Sequence, residues 1–181
     1  MKLAVVAYPN LDDIDRQWIE SFRTMHDPQA SRLGAHFTLV FPAEGAPNEL
    51  GPEIAAVARS TEAISFAIRR AVVVRDALGS GSHIFLVPDE GAAQIATFHH
   101  RLYAGALRHR LRADIPFVPH MTVGTAPDPE SAERLAKELN VRTRIVRGTV
   151  VQIDLVDVGP PRVQSIKTYT LGGAAGTFDK L

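Results

Sequence analysis

Seven histidines occur in this chain of 181 residues, and two of them open the same short phrase: His36-Phe37-Thr38-Leu39-Val40 and His120-Met121-Thr122-Val123-Gly124. On a β-strand, residues two apart share a face, so each His can point with its Thr into a cleft while Phe37, Leu39, Met121 and Val123 face a core. The chemistry that suits such a pair is displacement at a phosphodiester. That reaction needs a base for the attacking oxygen, an acid for the departing one, and donors for the phosphoryl oxygens. Two imidazoles fit, because an ordinary pKa of about 6.5 lets one be neutral and the other protonated near neutral pH. The hydroxyls of Thr38 and Thr122 can donate to the non-bridging oxygens, where charge accumulates.

Chance alone supplies nearly this much. Ser and Thr make up about one residue in ten, so seven histidines give roughly one His-x-Ser/Thr without selection. Context carries the weight instead. Both phrases lie in expected strands, both have an apolar residue after the Thr, and both hold the same place in a repeated order of elements. A metal site is the competing use of histidine. Neither phrase has the His-x-x-x-His spacing of a zinc helix and no acidic residue adjoins either one, so a metal would require remote carboxylates to converge. No metal and no cofactor is expected.

The elements that must position these residues can be read in order. Leu3 to Tyr8 is a short apolar run stopped by Pro9, which reads as a first strand and not as a signal peptide. Leu11, Ile14, Trp18 and Phe22 recur at helical spacing, with Asp12 and Asp13 in the first turn. After the turn-rich His26-Asp27-Pro28 comes the strand carrying His36, ending near Pro42. Asn48 is positioned to cap a helix over about Leu50 to Arg59. Ile64 to Val74 and Ser82 to Val87 read as strands joined at Gly79-Ser80-Gly81. A long helix is expected from about Glu90 to Leu111, with Ile95, Phe98, Leu102 and Leu107 buried. The strand carrying His120 follows Pro116 and runs to about Thr125. Ala126-Pro127-Asp128-Pro129 starts a helix that holds Leu135 and Leu139. Arg144 to Val158 reads as one long strand, Gly159-Pro160-Pro161 as a turn and Val163 to Leu171 as the last strand, before a mobile tail from Gly172 to Gly176.

Both halves thus share an order of helix, His-x-Thr strand, helix, long strand, turn and strand. The two histidines stand 84 residues apart, at positions 36 and 120. An internal duplication accounts for this, with pseudo-repeats over about 11–88 and 90–171 in a single bilobal domain spanning 1–181. Facing α+β lobes would place His36 and His120 across one cleft.

On these residues the chain resembles the two-histidine phosphoesterase superfamily, and within it the bacterial RNA 2′,3′-cyclic phosphodiesterases traditionally called 2′-5′ RNA ligases. His36-Phe37-Thr38-Leu39, Pro119-His120-Met121-Thr122-Val123-Gly124 and the opening strand followed by Pro9 and a helix carry the likeness, which spans nearly the whole chain in motif order. The resemblance implies a bilobal α+β fold in which two antiparallel sheets line a central cleft with helices packed outside. It also implies metal-independent hydrolysis of a 2′,3′-cyclic phosphate to a 2′-phosphate, with weak reverse ligation in some members. Carried over by position, His36 and His120 become the acid/base pair, with the two roles unassigned, and Thr38 and Thr122 hold the phosphate.

Composition narrows the substrate and the setting. The 20 basic and 20 acidic residues cancel, so no global field draws the molecule to long nucleic acid or to an anionic membrane. An RNA end or a small cyclic nucleotide fits better than a duplex, and ADP-ribose cyclic phosphate is a second candidate. A non-catalytic nucleotide-binding module of the same fold is the alternative to an enzyme. Without cysteine there is no disulfide, thiolate nucleophile or Cys-ligated metal. Cytoplasmic residence follows as the simplest expectation, with no membrane span and no obligate protein partner.

Among the remaining groups, Arg75, Arg144, Arg162 and Lys167 read as strand-end charges more readily than as cleft cations. His83 reads as a surface or hydrogen-bonded structural residue, and His99, His100 and His109 as part of a solvated helix face. Trp18, Tyr103 and Phe117 are assigned to packing before base stacking.

Overall fold

Leu3 to Ala7 is a run of consecutive apolar residues because the strand they form, β1 (Lys2–Ala7), is buried on both faces. Leu3, Val5 and Ala7 join the main core, while Ala4 and Val6 pack with Val156 in a smaller cluster on the other side. The computed structural model describes residues 1–76, 79–141, 144–160 and 162–172. The expected turn at Pro161, part of the hairpin between residues 76 and 81, and the tail beyond Gly172 therefore lie outside the described residues.

After β1 come β2 (Asn10–Leu11), α1 (Asp13–His26), β3 (Phe37–Glu44), α2 (Pro47–Arg59), β4 (Ile64–Arg75), β5 (Ser82–Glu90) and α3 (Ala92–Leu102). The chain continues through a 3₁₀ turn at Arg108–Arg110 to β6 (Met121–Ala126), α4 (Pro129–Asn140), β7 (Val146–Val150), β8 (Gln152–Asp157) and β9 (Gln164–Thr170). All strand pairs are antiparallel, in a four-stranded sheet of order β3-β1-β8-β9 and a five-stranded sheet of order β2-β7-β4-β5-β6. The fold is α+β, as expected: two antiparallel sheets line a central cleft, and helices pack outside. α1 and α4 lie against the five-stranded sheet, and α2 against the four-stranded one. No described helix is long and apolar enough to cross a membrane.

Each sheet draws on both halves of the chain. β6, with the second His-x-Thr phrase, pairs with the β4–β5 hairpin of the first half, and β3, with the first phrase, shares its sheet with β8 and β9. This interlock depends on a break at Val151. Instead of the single strand expected over Arg144 to Val158, the chain leaves the five-stranded sheet after Val150 and enters the four-stranded sheet at Gln152. Both pieces are rich in β-branched residues, so periodicity does not mark the crossing.

Other departures have local causes. The expected helix from Glu90 to Leu111 ends at Leu102, because Glu53 of α2 takes the Ala106 N–H (2.7 Å) beside Gly105, a weak helix former. Its start needs a glycine: Gly91 has φ +81°, and a Cβ there would lie 2.3 Å from the Ser65 carbonyl oxygen. Ile95, Phe98, Leu102 and Leu107 are all buried, as expected. The α2 helix is capped at Ala46, with Pro47 in its first turn, and Asn48 makes no cap. On α1 the buried set is Asp15, Ile19, Phe22 and Arg23, whereas Ile14 is 62% exposed. Two charged side chains thus take places that an apolar stripe would assign to hydrophobes.

The β4 strand pairs with β7 only from Ile64 to Ile68, so its later residues face that side without a strand partner. Asn140, at the end of α4, covers part of the gap: its Oδ1 accepts the Ala71 N–H (2.7 Å) and its Nδ2 donates to the Ala71 carbonyl (3.0 Å). Asn140→Ala is expected to lower the unfolding free energy by about 1–2 kcal/mol, since both backbone groups lose a partner. A urea unfolding curve checks this, and an unchanged midpoint would contradict it.

Candidate active site

Strand alternation delivers the two phrases as their residue types require. Phe37, Leu39, Met121 and Val123 are 0–1% exposed in the core, and His36, Thr38, His120 and Thr122 point the other way, half-buried. Each histidine stands one residue before its strand, because β3 begins at Phe37 and β6 at Met121. The two strands occupy the ends of different sheets, and all four polar side chains line one cleft of about 640 Å³.

Both imidazoles are anchored in the same way. His36 Nδ1 lies 2.8 Å from the Gly34 carbonyl and His120 Nδ1 2.6 Å from the Val118 carbonyl, each two residues upstream. A carbonyl only accepts, so Nδ1 carries the hydrogen in both rings and Nε2 is left for chemistry. Burial in the cleft lowers both pKa values. For His36, burial is the largest cause; the Gly34 bond opposes it, the Arg23 charge adds to it, and Asp27 and Glu20 pull the value back up. For His120, burial is again first, the Val118 bond opposes it, and the positive charges of His36 and His83 bring it to about 4.

Behind each ring the support differs. Arg23, 1% exposed at the end of α1, donates from Nε and Nη2 to Asp27 Oδ2 (3.0 and 2.9 Å), from Nη1 to Glu20 Oε2 (2.8 Å), and from Nη2 to the Leu33 carbonyl (2.9 Å). Glu20 Oε1 also accepts the Ala35 N–H (2.6 Å), and Asp27 Oδ1 accepts the Gln29 N–H (2.9 Å). This buried network ties the segment leading into His36 to α1. His120 is held by an aromatic face instead. Phe85 stacks on it with ring centroids 3.7 Å apart and planes at 18°, and His83 stacks on Phe85 at 5.6 Å and 12°.

His83, expected as a surface or hydrogen-bonded structural residue, is half-buried in the cleft lining, 3.6 Å from Asp76, because its place two residues before Phe85 puts both on the same face of β5. One expectation for histidine is corrected. His99 is buried and not part of a solvated face: Nδ1 bonds the Leu39 carbonyl (2.8 Å), the ring stacks on Phe117 at 3.6 Å, and burial lowers its pKa. His100 and His109 are exposed, as expected. Trp18 and Phe117 pack against the core, and Tyr103 is buried with its hydroxyl accepting the Phe41 N–H (3.0 Å). Arg75 lines the cleft. Arg144 instead pairs with Asp12 and Asp15, and Lys167 sits over the Tyr169 ring, both away from the cleft lining, which does not include Arg162 either. Phe85 and the Glu20–Arg23–Asp27 network escaped the sequence reading. The i−3 and i+4 spacing of Glu20 and Asp27 about Arg23 is an ion-pair signal, but it resembles any exposed helix pair until burial is known. Among the described residues no three His, Cys, Asp or Glu side chains are grouped to hold a metal ion.

Two antiparallel sheets facing across a cleft, each ending in a His-x-Thr strand, define a class of two-histidine proteins. The chain belongs to the 2′-5′ RNA ligase superfamily, whose family model matches residues 11–159. Solved structures share the fold. LigT of E. coli, complexed with 3′-AMP, superposes with a TM-score of 0.56 at 16% identity over 95% of this chain and 98% of that one. TT0787 of Thermus thermophilus gives 0.60 at 20% identity, covering 96% and 99%. Usb1 of Kluyveromyces marxianus gives 0.57 at 11% identity, covering 94% and 98%. No match was found among curated proteins.

The carboxylate of Glu20 both holds the Ala35 N–H and supports positive charge on His36. Glu20→Gln keeps an acceptor and removes the charge. Imidazole NMR titration should then show a His36 pKa below that of the parent protein with His120 unmoved; a rise at His36 would refute this account of its electrostatics.

Proposed function

We propose that the protein is a cytoplasmic, metal-independent phosphodiesterase that hydrolyses 2′,3′-cyclic phosphates, at RNA ends or in small nucleotides, to 2′-phosphates. One observation carries this reading: two His-x-Thr pairs from different sheets line a single cleft, each imidazole fixed through Nδ1 so that Nε2 is the reactive nitrogen. In the reaction a water oxygen attacks phosphorus as one Nε2 takes its proton. The P–O3′ bond breaks, and the other imidazole gives its proton to the departing 3′-oxygen. The Thr38 and Thr122 hydroxyls donate to the non-bridging oxygens. The phosphate stays on the 2′-oxygen.

The electrostatics favour His120 as the base and His36 as the acid. Burial lowers both, and the neighbouring charges then differ: His36 and His83 add to the effect at His120, whereas at His36 the addition from Arg23 is opposed by the carboxylates of Asp27 and Glu20. A cleft of about 640 Å³ suits a small nucleotide or the last residues of an RNA strand. The nucleotide 3′-AMP in the LigT crystal structure is consistent with that choice.

Incubation of the protein with an RNA bearing a terminal cyclic phosphate, in EDTA, is expected to yield a 2′-phosphate. His36→Ala and His120→Ala should each lower the rate by about 10²-fold or more, the usual worth of a general acid or base. Full activity in either variant would sink the mechanism. Nucleotide binding by calorimetry without turnover would make the protein a binding module, and turnover of ADP-ribose cyclic phosphate alone would move the substrate away from RNA.

The dependence of kcat/KM on pH should be bell-shaped. His120 must be deprotonated, so activity rises as pH passes about 4. His36 must be protonated, so activity falls as pH passes its own pKa, which burial places below 6.5. The maximum lies between these limits; a flat profile from pH 4 to 8 would exclude paired imidazoles.

A further inference from the structure

The wall made by β4, β5 and β6 carries more polar chemistry than one reacting phosphate uses. Where β6 meets β5, Ile84 opposes Gly124 and Phe85 opposes Thr122, so Val123 is an extra residue in a β-bulge. A bulge resets strand alternation. Thr122 and Thr125, three apart in sequence, consequently both line the cleft. The register sets Val74, His83 and Thr125 in one row across the three strands, beside a row of Val72, Phe85 and Thr122. Rows two residues apart are separated by about 6.6 Å.

The row of Val74, His83 and Thr125 carries an imidazole and a hydroxyl. The ring stack places His83 one phenyl ring away from His120. Arg75, at the end of β4, is exposed in the cleft lining, and among the described residues no carboxylate pairs with it. Thr125 adds a hydroxyl. The carboxylate on this wall, Asp76, lies with Oδ2 3.6 Å from His83 Nε2, and the Arg75 guanidinium stands next to this row in the cleft lining. His83 Nδ1 is buried and has no partner. Upstream of His120 the same wall is apolar, with Ile115, Pro116 and Val118 in the lining. Polarity therefore changes along the wall, from apolar before His120 to polar beyond Thr122, where Arg75 supplies a cation.

We infer that Arg75, His83 and Thr125 form a second phosphate subsite, which receives a phosphate on the 5′-oxygen of the nucleoside whose 2′,3′-cyclic phosphate lies at His36 and His120. A guanidinium fork and a hydroxyl are donors matched to phosphate oxygens, and the row spacing is of the order of the distance across one ribose. The inference rests on the proposed hydrolysis and narrows its substrate class. The 5′-phosphate is either the terminal group of a mononucleotide or the linkage to the preceding residue of an RNA.

Three substrates test it: adenosine 2′,3′-cyclic phosphate, its 5′-phosphorylated form, and the dinucleotide ending in the same cyclic phosphate. The parent protein should prefer the 5′-phosphorylated form over the first by about two- to fivefold in kcat/KM, the worth of one exposed charge-assisted contact. Arg75→Gln and Thr125→Val should bring that ratio towards one. Thr38→Val should slow both substrates and preserve it. A ratio of one in the parent protein, or a ratio that survives Arg75→Gln, overturns the subsite. An equal gain for the dinucleotide identifies an RNA linkage as the source, and a gain confined to the mononucleotide identifies a terminal phosphate. If nothing is hydrolysed, the catalytic reading has failed and calorimetry decides the subsite separately: adenosine 3′,5′-bisphosphate should bind more tightly than 3′-AMP, with the difference lost in Arg75→Gln, and equal binding overturns it.

Discussion

Four apolar side chains hold the cleft in place. Phe37 and Leu39 on β3, and Met121 and Val123 on β6, are buried almost completely, and because strand side chains alternate, their burial turns His36, Thr38, His120 and Thr122 outward. A slip of one residue in either strand would bury an imidazole and a hydroxyl and expose two large hydrophobes, so the hydrophobic effect fixes the register of the polar groups. The sheet order extends this constraint to the whole chain. β3 pairs with β1 and shares its sheet with β8 and β9, while β6 closes on the β4–β5 hairpin, so neither wall of the cleft is complete until both halves have folded.

Equivalent positions in the two halves are stabilised by unlike physics. The approach to His36 is braced by a buried guanidinium whose donors meet two carboxylates and a carbonyl. Burying such charges is expensive, and the return is geometric: each partner has one place to be. The approach to His120 has the phenyl ring of Phe85 laid against the imidazole, with dispersion and shape in place of charge. The two histidines consequently share an anchoring geometry and differ in their surroundings, with carboxylates near one and imidazole rings near the other.

Much of this organisation was legible in the sequence. The alternation around Thr38 and Thr122 showed which residues share a face, and Asp128 before Pro129 marked the start of α4, where its side chain does accept the Ser131 N–H. What stayed hidden depends on tertiary context. Val146 to Asp157 is one β-branched pattern whether it forms one strand or crosses between sheets at Val151. His99 sits among Arg and His residues, and its burial depends on Phe117 and the Leu39 carbonyl, which are distant in sequence. Arg23 looks like an ordinary helix-surface cation until the segment from Asp27 to Ala35 folds over it. Thr125 is out of phase with Thr122 unless the bulge at Val123 is known.

Under the proposed function, desolvation is what suits so neutral a molecule to an anionic ligand. With equal numbers of acidic and basic residues there is no long-range attraction to concentrate phosphate at the surface. Inside the cleft the balance is different, because burial pushes both imidazoles towards their neutral forms when no anion is present. A phosphate entering between them supplies the negative charge that burial withholds, and its field acts in a medium far less screening than water. Under the proposed function, the anion that binds also favours the proton on the acid. The burial that disfavours charge in the empty cleft thereby couples protonation of His36 to arrival of the substrate, and the two threonines and Arg75 then need only hold the phosphoryl groups in place.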